Sequence, residues 1–332
     1  MSDFVVVLTV AAALAFAFSN GFHDTFDLIS TVVSTRSVPP QAAIMAAALL
    51  TFAGAFVSVA VAATIAHDLI DAGAIAPIVV FAGLLGAIAW NIATWRLGLP
   101  SSSSHALIGG LLGASLAAAG GSAVLGGEVL DKILIPALLA PLAAFGLALA
   151  AIAILYRLIG RRRPGPVTRG FRRAQLLSAS LLALAHGAND AQKTMGVIVL
   201  ALIAKGSLGA SADPPLWAIV ASAAAIALGT WAGGLRVMRG RGRVIEIDAA
   251  QGFSAQGAGA ATILVATFLG FPISSTHAIS GGVMGAGAVK RISAVRWGVA
   301  GNIVVAWLLT LPAAAAIGAL AYAIAWILGA GA

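Results

Sequence analysis

The chain has 332 residues, of which 61% are hydrophobic and only 9% charged, with a mean hydropathy of +1.03 and a formal net charge of +8. A soluble domain carries roughly a quarter charged residues to solvate its surface, so a water-soluble fold is excluded, and the absence of cysteine removes disulfides, thiolate haem ligation and cysteine metal sites. The arginines stand between apolar runs, which ties the positive charge to membrane topology and not to nucleic acid.

Apolar runs fall at 4–35, 41–65, 76–97, 101–119, 133–156, 174–204, 216–235, 252–270, 273–289 and 297–328, several near or above the ~20 residues that cross a bilayer. The chain reads as an all-α polytopic membrane protein. Its first run lacks the basic start of a signal peptide and is read as a retained span. Within it Asn20, Asp24, Asp27, Thr31 and Ser34 recur every three or four positions and so share one helix face, while Phe22, Leu28, Ile29, Val32 and Val33 cover much of the rest. Runs three and four are divided by Leu97-Gly98-Leu99-Pro100-Ser101-Ser102-Ser103-Ser104-His105. Residues 157–173 then hold Arg157, Arg161, Arg162, Arg163, Arg169, Arg172 and Arg173 with Pro164 and Pro166, a basic linker that belongs in the cytoplasm. The expected division is therefore 1–156, 157–173 and 174–332.

The second half opens on His186-Gly187-Ala188-Asn189-Asp190-Ala191-Gln192-Lys193 and later carries Gly270-Phe271-Pro272-Ile273-Ser274-Ser275-Thr276-His277. Counting spans outward from the linker puts Arg36, Arg96, Arg236, Arg239, Arg241, Arg243, Lys290, Arg291 and Arg296 inside. Only Lys132 and Lys205 fall outside, near Asp68, Asp71, Glu128, Asp131 and Asp213. Both termini are then outside, and each half makes an odd number of crossings. The Gly-x-Pro-x-Ser-Ser-x-His pattern occurs in both halves, and Asn20-Gly21-Phe22-His23-Asp24 parallels His186-Gly187-Ala188-Asn189-Asp190. An odd crossing number makes such a pair an inverted-topology repeat, a signature of secondary transporters whose broken segments point to the substrate site.

An acid inside a membrane span is costly and a functional candidate. Asp24 and Asp190 are expected to hold coupling cations or protons, aided by Asn20 and Asn189; the plainer alternative is that they cap helices broken at Gly21 and Gly187. Lys193, at the position of Asp27, needs an anionic partner: Asp27, Asp190 or a bound anion. The Pro-led hydroxyl clusters start helices whose free N–H groups favour an anion. Two facing copies would suit a tetrahedral oxyanion, whereas a bare metal ion needs acceptors. The alternative there is that the serines only cap and pack, with Gly109, Gly110, Gly281 and Gly282 allowing close helix approach. His105 and His277 follow the clusters, but the chain has no Gly-x-Ser-x-Gly elbow, no His-Glu-x-x-His and no Walker loop, so no catalytic residue is expected and the chain is not read as an enzyme. His67 and Asp68 read as solvated, and Trp90, Asn91 and Asn302 have no assigned role.

Together Gly21-Phe22-His23-Asp24-Thr25, Trp90-Asn91, Gly98 to Ala106, His186 to Lys193 and Pro272 to His277 resemble the inorganic phosphate transporter (PiT) family over nearly the whole chain. The resemblance implies a secondary transporter of the cell membrane that carries inorganic phosphate by symport with Na⁺ or H⁺, in some bacterial members as a metal–phosphate complex. It also implies re-entrant hairpins whose tips are the two serine loops. The expected phosphate ligands are Ser102, Ser103, Ser104, Ser274, Ser275, Thr276 and Lys193. The expected coupling-cation set is Asn20, Asp24, Asp27, Asn189 and Asp190, with Asp24 and Asp190 as metal ligands if the ion is Na⁺. No cofactor is implied; phosphate, membrane lipid and a second copy in a homodimer are the expected partners. Three places depart from the family pattern. Phe26-Asp27 stands where Ala-Asn is common, and Gln256 and Thr51 are uncharged where relatives carry glutamate. Fewer carboxylates there weaken the case for sodium. Sulfate, of similar charge and donor demand, is the alternative cargo.

Overall fold

The computed structural model describes residues 2–99, 101–160, 163–239, 247–289 and 297–329. Pro100, Arg161, Arg162, Arg241, Arg243, Lys290, Arg291 and Arg296 lie outside the described residues, as do the side chains of Arg236, Arg239 and Asn302. Among the described residues twelve α-helices follow one another: α1 Ser2–Ser34, α2 Pro40–Gly54, α3 Ala60–Ala63, α4 Pro77–Leu97, α5 Ser103–Ala119, α6 Gly126–Val129, α7 Ile135–Ile159, α8 Pro164–Ala204, α9 Leu216–Arg239, α10 Ala249–Phe268, α11 Ser275–Ala288 and α12 Trp297–Ile327. Among the described residues six helical stretches are long and apolar enough to span a bilayer, so the protein is an all-helical, multi-pass membrane protein.

Local chemistry sets many boundaries. Proline opens α2, α4 and α8, where the first turn needs no N–H partner. Asp248 and Gln251 form a reciprocal capping box at the start of α10. Gly98 (φ +66°) and Gly270 (φ +77°) end α4 and α10 in the left-handed conformation, which glycine adopts without a Cβ clash. The basic stretch of 157–173 is mostly helical: Arg157 is exposed near the end of α7, and Arg169, Arg172 and Arg173 are exposed on the first turns of α8.

Packing pairs off between the halves. α1 lies against α9 as α2 lies against α8, and α5 packs on α4 and α12 as α11 packs on α10 and α7. The glycines mark these contacts. A Cβ on Gly109 would stand 2.3 Å from the Leu311 carbonyl oxygen, and one on Gly281 would stand 2.3 Å from that of Pro141. Backbones therefore touch directly, as small residues permit between helices in a membrane. Among the described residues the two largest apolar cores lie around Phe16, Val80, Leu107 and Ile198 and around Ile29, Ile44, Leu182 and Ile263.

One alternative and one expectation do not hold. α1 and α8 run unbroken through Gly21 and Gly187, so Asp24 and Asp190 cap nothing. The glycines are there for contact: a Cβ on Gly187 would lie 1.9 Å from the Thr51 carbonyl oxygen, and one on Gly21 2.1 Å from that of Ile226. Conversely, the apolar run 41–65 is not one helix. It stops at Gly54 and restarts at Ala60, and the restart is satisfied by another element, because the Gln192 side-chain oxygen accepts from Val61 N (2.8 Å) and Ala62 N (3.2 Å).

Candidate functional site

The two hydroxyl-rich loops are the tips of helical hairpins α4–α5 and α10–α11, and the tips meet. Ser104 Oγ donates to the Ile273 carbonyl oxygen at 3.1 Å, and the His105 and His277 rings stand edge to face with centroids 4.8 Å apart. Each tip begins its second helix in the same way. Ser102 and Ser274 take extended backbone angles and accept from His105 N (3.1 Å) and His277 N (3.3 Å), the ordinary N-cap arrangement. The capping alternative thus holds for these two serines; the hydroxyls beyond them point elsewhere.

Where they point is the polar middle of α1 and α8. Ser275 Oγ donates to Asp24 Oδ2 at 3.1 Å and Thr276 Oγ1 to Asp24 Oδ1 at 3.2 Å. On α8, His186 Nδ1 lies 2.8 Å from Asp190 Oδ2, while Lys193 Nζ donates to Asp190 Oδ1. The same ammonium donates to Ser104 Oγ (2.5 Å) and to the Ile273 carbonyl oxygen (2.6 Å). Of the three partners open to Lys193 on sequence grounds, it takes Asp190, one turn back, and adds both hairpin tips. Ligating atoms of Asp24, His186 and Asp190 lie within 4.8 Å of one another, so the acids of the two halves share one site.

The remaining expected residues have distinct surroundings. Asn189 Nδ2 donates to Thr267 Oγ1 (2.9 Å) and to the Phe271 carbonyl oxygen (3.1 Å), so it fixes the turn ending α10. Asn20 is buried with neither side-chain polar atom hydrogen-bonded, a costly state that leaves both a donor and an acceptor free. Asp27 is half-buried, one turn beyond Asp24, and Ser103 is buried at the first turn of α5. His186 was absent from the expected set although its i,i+4 spacing to Asp190 was a legible signal. Gln192 also went unassigned; its partner lies 131 positions away.

The arrangement offers three things in one protein-lined space: hydroxyls and helix-start N–H groups for an oxyanion, a carboxylate bound only by hydroxyls, and a carboxylate already held by a lysine and a histidine. His277 stacks on Trp307 at 3.8 Å between centroids.

Comparison with known proteins places this geometry in context. The sequence profile described as "Phosphate transporter family" matches residues 20–318. The chain is 48% identical to the "Probable low-affinity inorganic phosphate transporter" of Rhizobium meliloti (strain 1021), covering 96% of each chain. It is 42% identical to the protein of that name from Bacillus subtilis (strain 168), again over 96% of each. The Mycobacterium leprae (strain TN) protein of that name is 48% identical over 98% of this chain and 79% of its own length. Among solved structures, the fold superimposes on one titled "The sodium-dependent phosphate transporter" with a TM-score of 0.84, at 23% identity, covering 98% of this chain and 99% of that one.

Proposed function

The chain belongs to the phosphate transporter family, and on that footing we propose that it carries inorganic phosphate across the cell membrane by cation-coupled symport with alternating access. The observation that supports this most is the meeting of the two hairpin tips over Asp24 and Lys193. A tetrahedral oxyanion accepts many hydrogen bonds, and helix starts rich in hydroxyls supply them at the positive ends of two dipoles. Ser103, Ser104, Ser275 and Thr276 bind phosphate, with Ser102 and Ser274 shaping the tips, and Lys193 adds positive charge beside it. Asn20, Asp24 and Asp27 serve the coupling cation, while Asp190, engaged by Lys193 and His186, and Asn189, engaged by Thr267 and Phe271, complete the second half of the site. The ion is Na⁺ or H⁺, and phosphate travels free or as a neutral complex with a divalent metal.

The halves 1–156 and 174–332 form an inverted repeat about this site, with the linker 157–173 in the cytoplasm and both termini outside. The paired packing of α1 on α9 and α2 on α8 supports the repeat. The 14 residues of α11 rise only about 21 Å at 1.5 Å per residue, short of a roughly 30 Å hydrocarbon core, which supports re-entrant hairpins. Alternating access then consists of opening the tip contacts to one side or the other, as expected when a site lies between repeats.

Uptake of labelled phosphate into proteoliposomes, under separately imposed Na⁺ and pH gradients with and without Mg²⁺, tests this reading. Phosphate accumulation is expected under at least one gradient. Sulfate uptake with no phosphate uptake under any gradient would overturn it.

A further inference from the structure

Resting on the reading of a cation-coupled carrier, we propose that the Lys193 ammonium is a resident cation. It fills a cation-binding position built from both halves, so ions that move in the transport cycle are bound on the Asp24 side alone.

The contacts of Lys193 carry this. An ammonium has three protons and no acceptor, and here three acceptors meet it: a carboxylate oxygen of Asp190, the hydroxyl of Ser104 and the main-chain carbonyl of Ile273. Carboxylate, hydroxyl and carbonyl oxygens are a donor set for a small hard cation. They come from three separate elements, α8 and the two hairpin tips, so the position is assembled by the tertiary fold. Lys193 is fully buried, and its three protons are already matched, which leaves none for a passing substrate.

The corresponding place in the first half is built differently. Asp27 stands where Lys193 stands in the second half, and Asp24 corresponds to Asp190. Among the described residues no lysine or arginine pairs with Asp24; its oxygens accept only from Ser275 and Thr276. One carboxylate is therefore neutralised by a cation tethered to the chain, while the other is open to a cation from solution. A tethered ammonium cannot leave with the cargo, so the Asp190 position holds charge without passing it across the membrane.

The test uses the full-length purified chain as wild type, Lys193→Ala, Lys193→Ser and the double variant Asp190→Asn/Lys193→Ala. Thermal unfolding in NaCl is compared with unfolding in choline chloride, and phosphate uptake is measured with and without Na⁺ or methylammonium. Removing one partner of a buried ion pair is severe, and uptake by Lys193→Ala in choline medium should fall on the order of 100-fold. Na⁺ or methylammonium should restore at least part of it, while leaving the wild type's Lys193 position unaffected. Na⁺ should also stabilise Lys193→Ala by more than it stabilises wild type, because an ion that binds only the folded state raises its stability. The double variant should lose that excess. If Lys193→Ala yields folded protein only when purified in NaCl, the resident cation is supported. If neither Lys193→Ala nor Lys193→Ser responds to any cation beyond the wild-type response, the proposal is overturned. Wild-type vesicles that take up no phosphate would count against the phosphate reading alone, since the Na⁺-dependent stabilisation needs no substrate.

Discussion

Asp24 on α1 and Asp190 on α8 occupy corresponding positions, each three residues past a glycine that lets another helix's backbone in. Their oxygens are engaged in opposite ways. Asp190 is gripped by His186 and Lys193 from its own helix, whereas among the described residues Asp24 is held by the hydroxyls of Ser275 and Thr276 from the opposite hairpin. Both glycines admit a backbone carbonyl, but the charges around the two acids differ. Both crossings rest on glycine–carbonyl contact, whereas the side chains six residues beyond the glycines, Asp27 and Lys193, differ in charge.

The strongest way to break the comparison is at the frame. Gly187→Leu and Gly21→Leu each place a Cβ within 2.1 Å of a backbone oxygen that cannot step aside, and each should cost above about 4 kcal/mol. Neither is expected to give folded protein by size-exclusion chromatography; a variant that folds at one glycine and not the other would show that the crossings are not equivalent.

Next in size come the acids. Asp190→Asn strands the buried Lys193 ammonium and should cost about 3–5 kcal/mol. Asp24→Asn keeps an oxygen for its hydroxyl donors and should cost only about 1 kcal/mol. Both should lose coupled phosphate uptake. Thermal unfolding separates them, and equal shifts in midpoint would mean that the two carboxylates are not differently charged environments after all.

Smaller effects sharpen the roles of the tips. Ser103→Ala and Ser275→Ala each remove one hydrogen bond to an anion, about 1.5–3 kcal/mol, and should raise the phosphate KM roughly tenfold or more with little change in folding. Unchanged kinetics would leave those hydroxyls as packing groups. Smallest are the caps. Ser102→Ala and Ser274→Ala should each lower stability by about 1 kcal/mol while KM stays near the wild-type value; a KM effect larger than that on stability would move these serines from capping to binding.

Much of this was legible from residue order because the relevant signals are local. Apolar runs located most helices, and the repeated Gly-x-Pro-x-Ser-Ser-x-His marked both hairpin tips, where a helix stop and a cap lie within a few residues. What the order of residues hid depends on distant partners. In Ala55-Phe56-Val57-Ser58-Val59 the local sign of the gap between α2 and α3 is Ser58, whose hydroxyl accepts from Ala60 N at 3.1 Å; the next two amides are satisfied by the distant Gln192. Gly21 and Gly187 look like helix breaks, but the space they free is taken by other helices. Lys193 had three plausible anions, and only the folded tips decide among them by adding Ser104 and Ile273 to Asp190.

The pairing of α5 with α12 also sets an order of events during synthesis. Gly109 and Gly113 of the first hairpin rest on Leu311 and Ala315, so its partner leaves the ribosome only after roughly 180 further residues, a wait on the order of ten to forty seconds at usual elongation rates. The second hairpin meets α7 with no such delay, because α7 is already made when α11 emerges. The earlier-born hairpin is thus the later to be clasped, and a ribosome stalled before α12 leaves a chain whose first hairpin is backed by α4 alone of its two flanking helices.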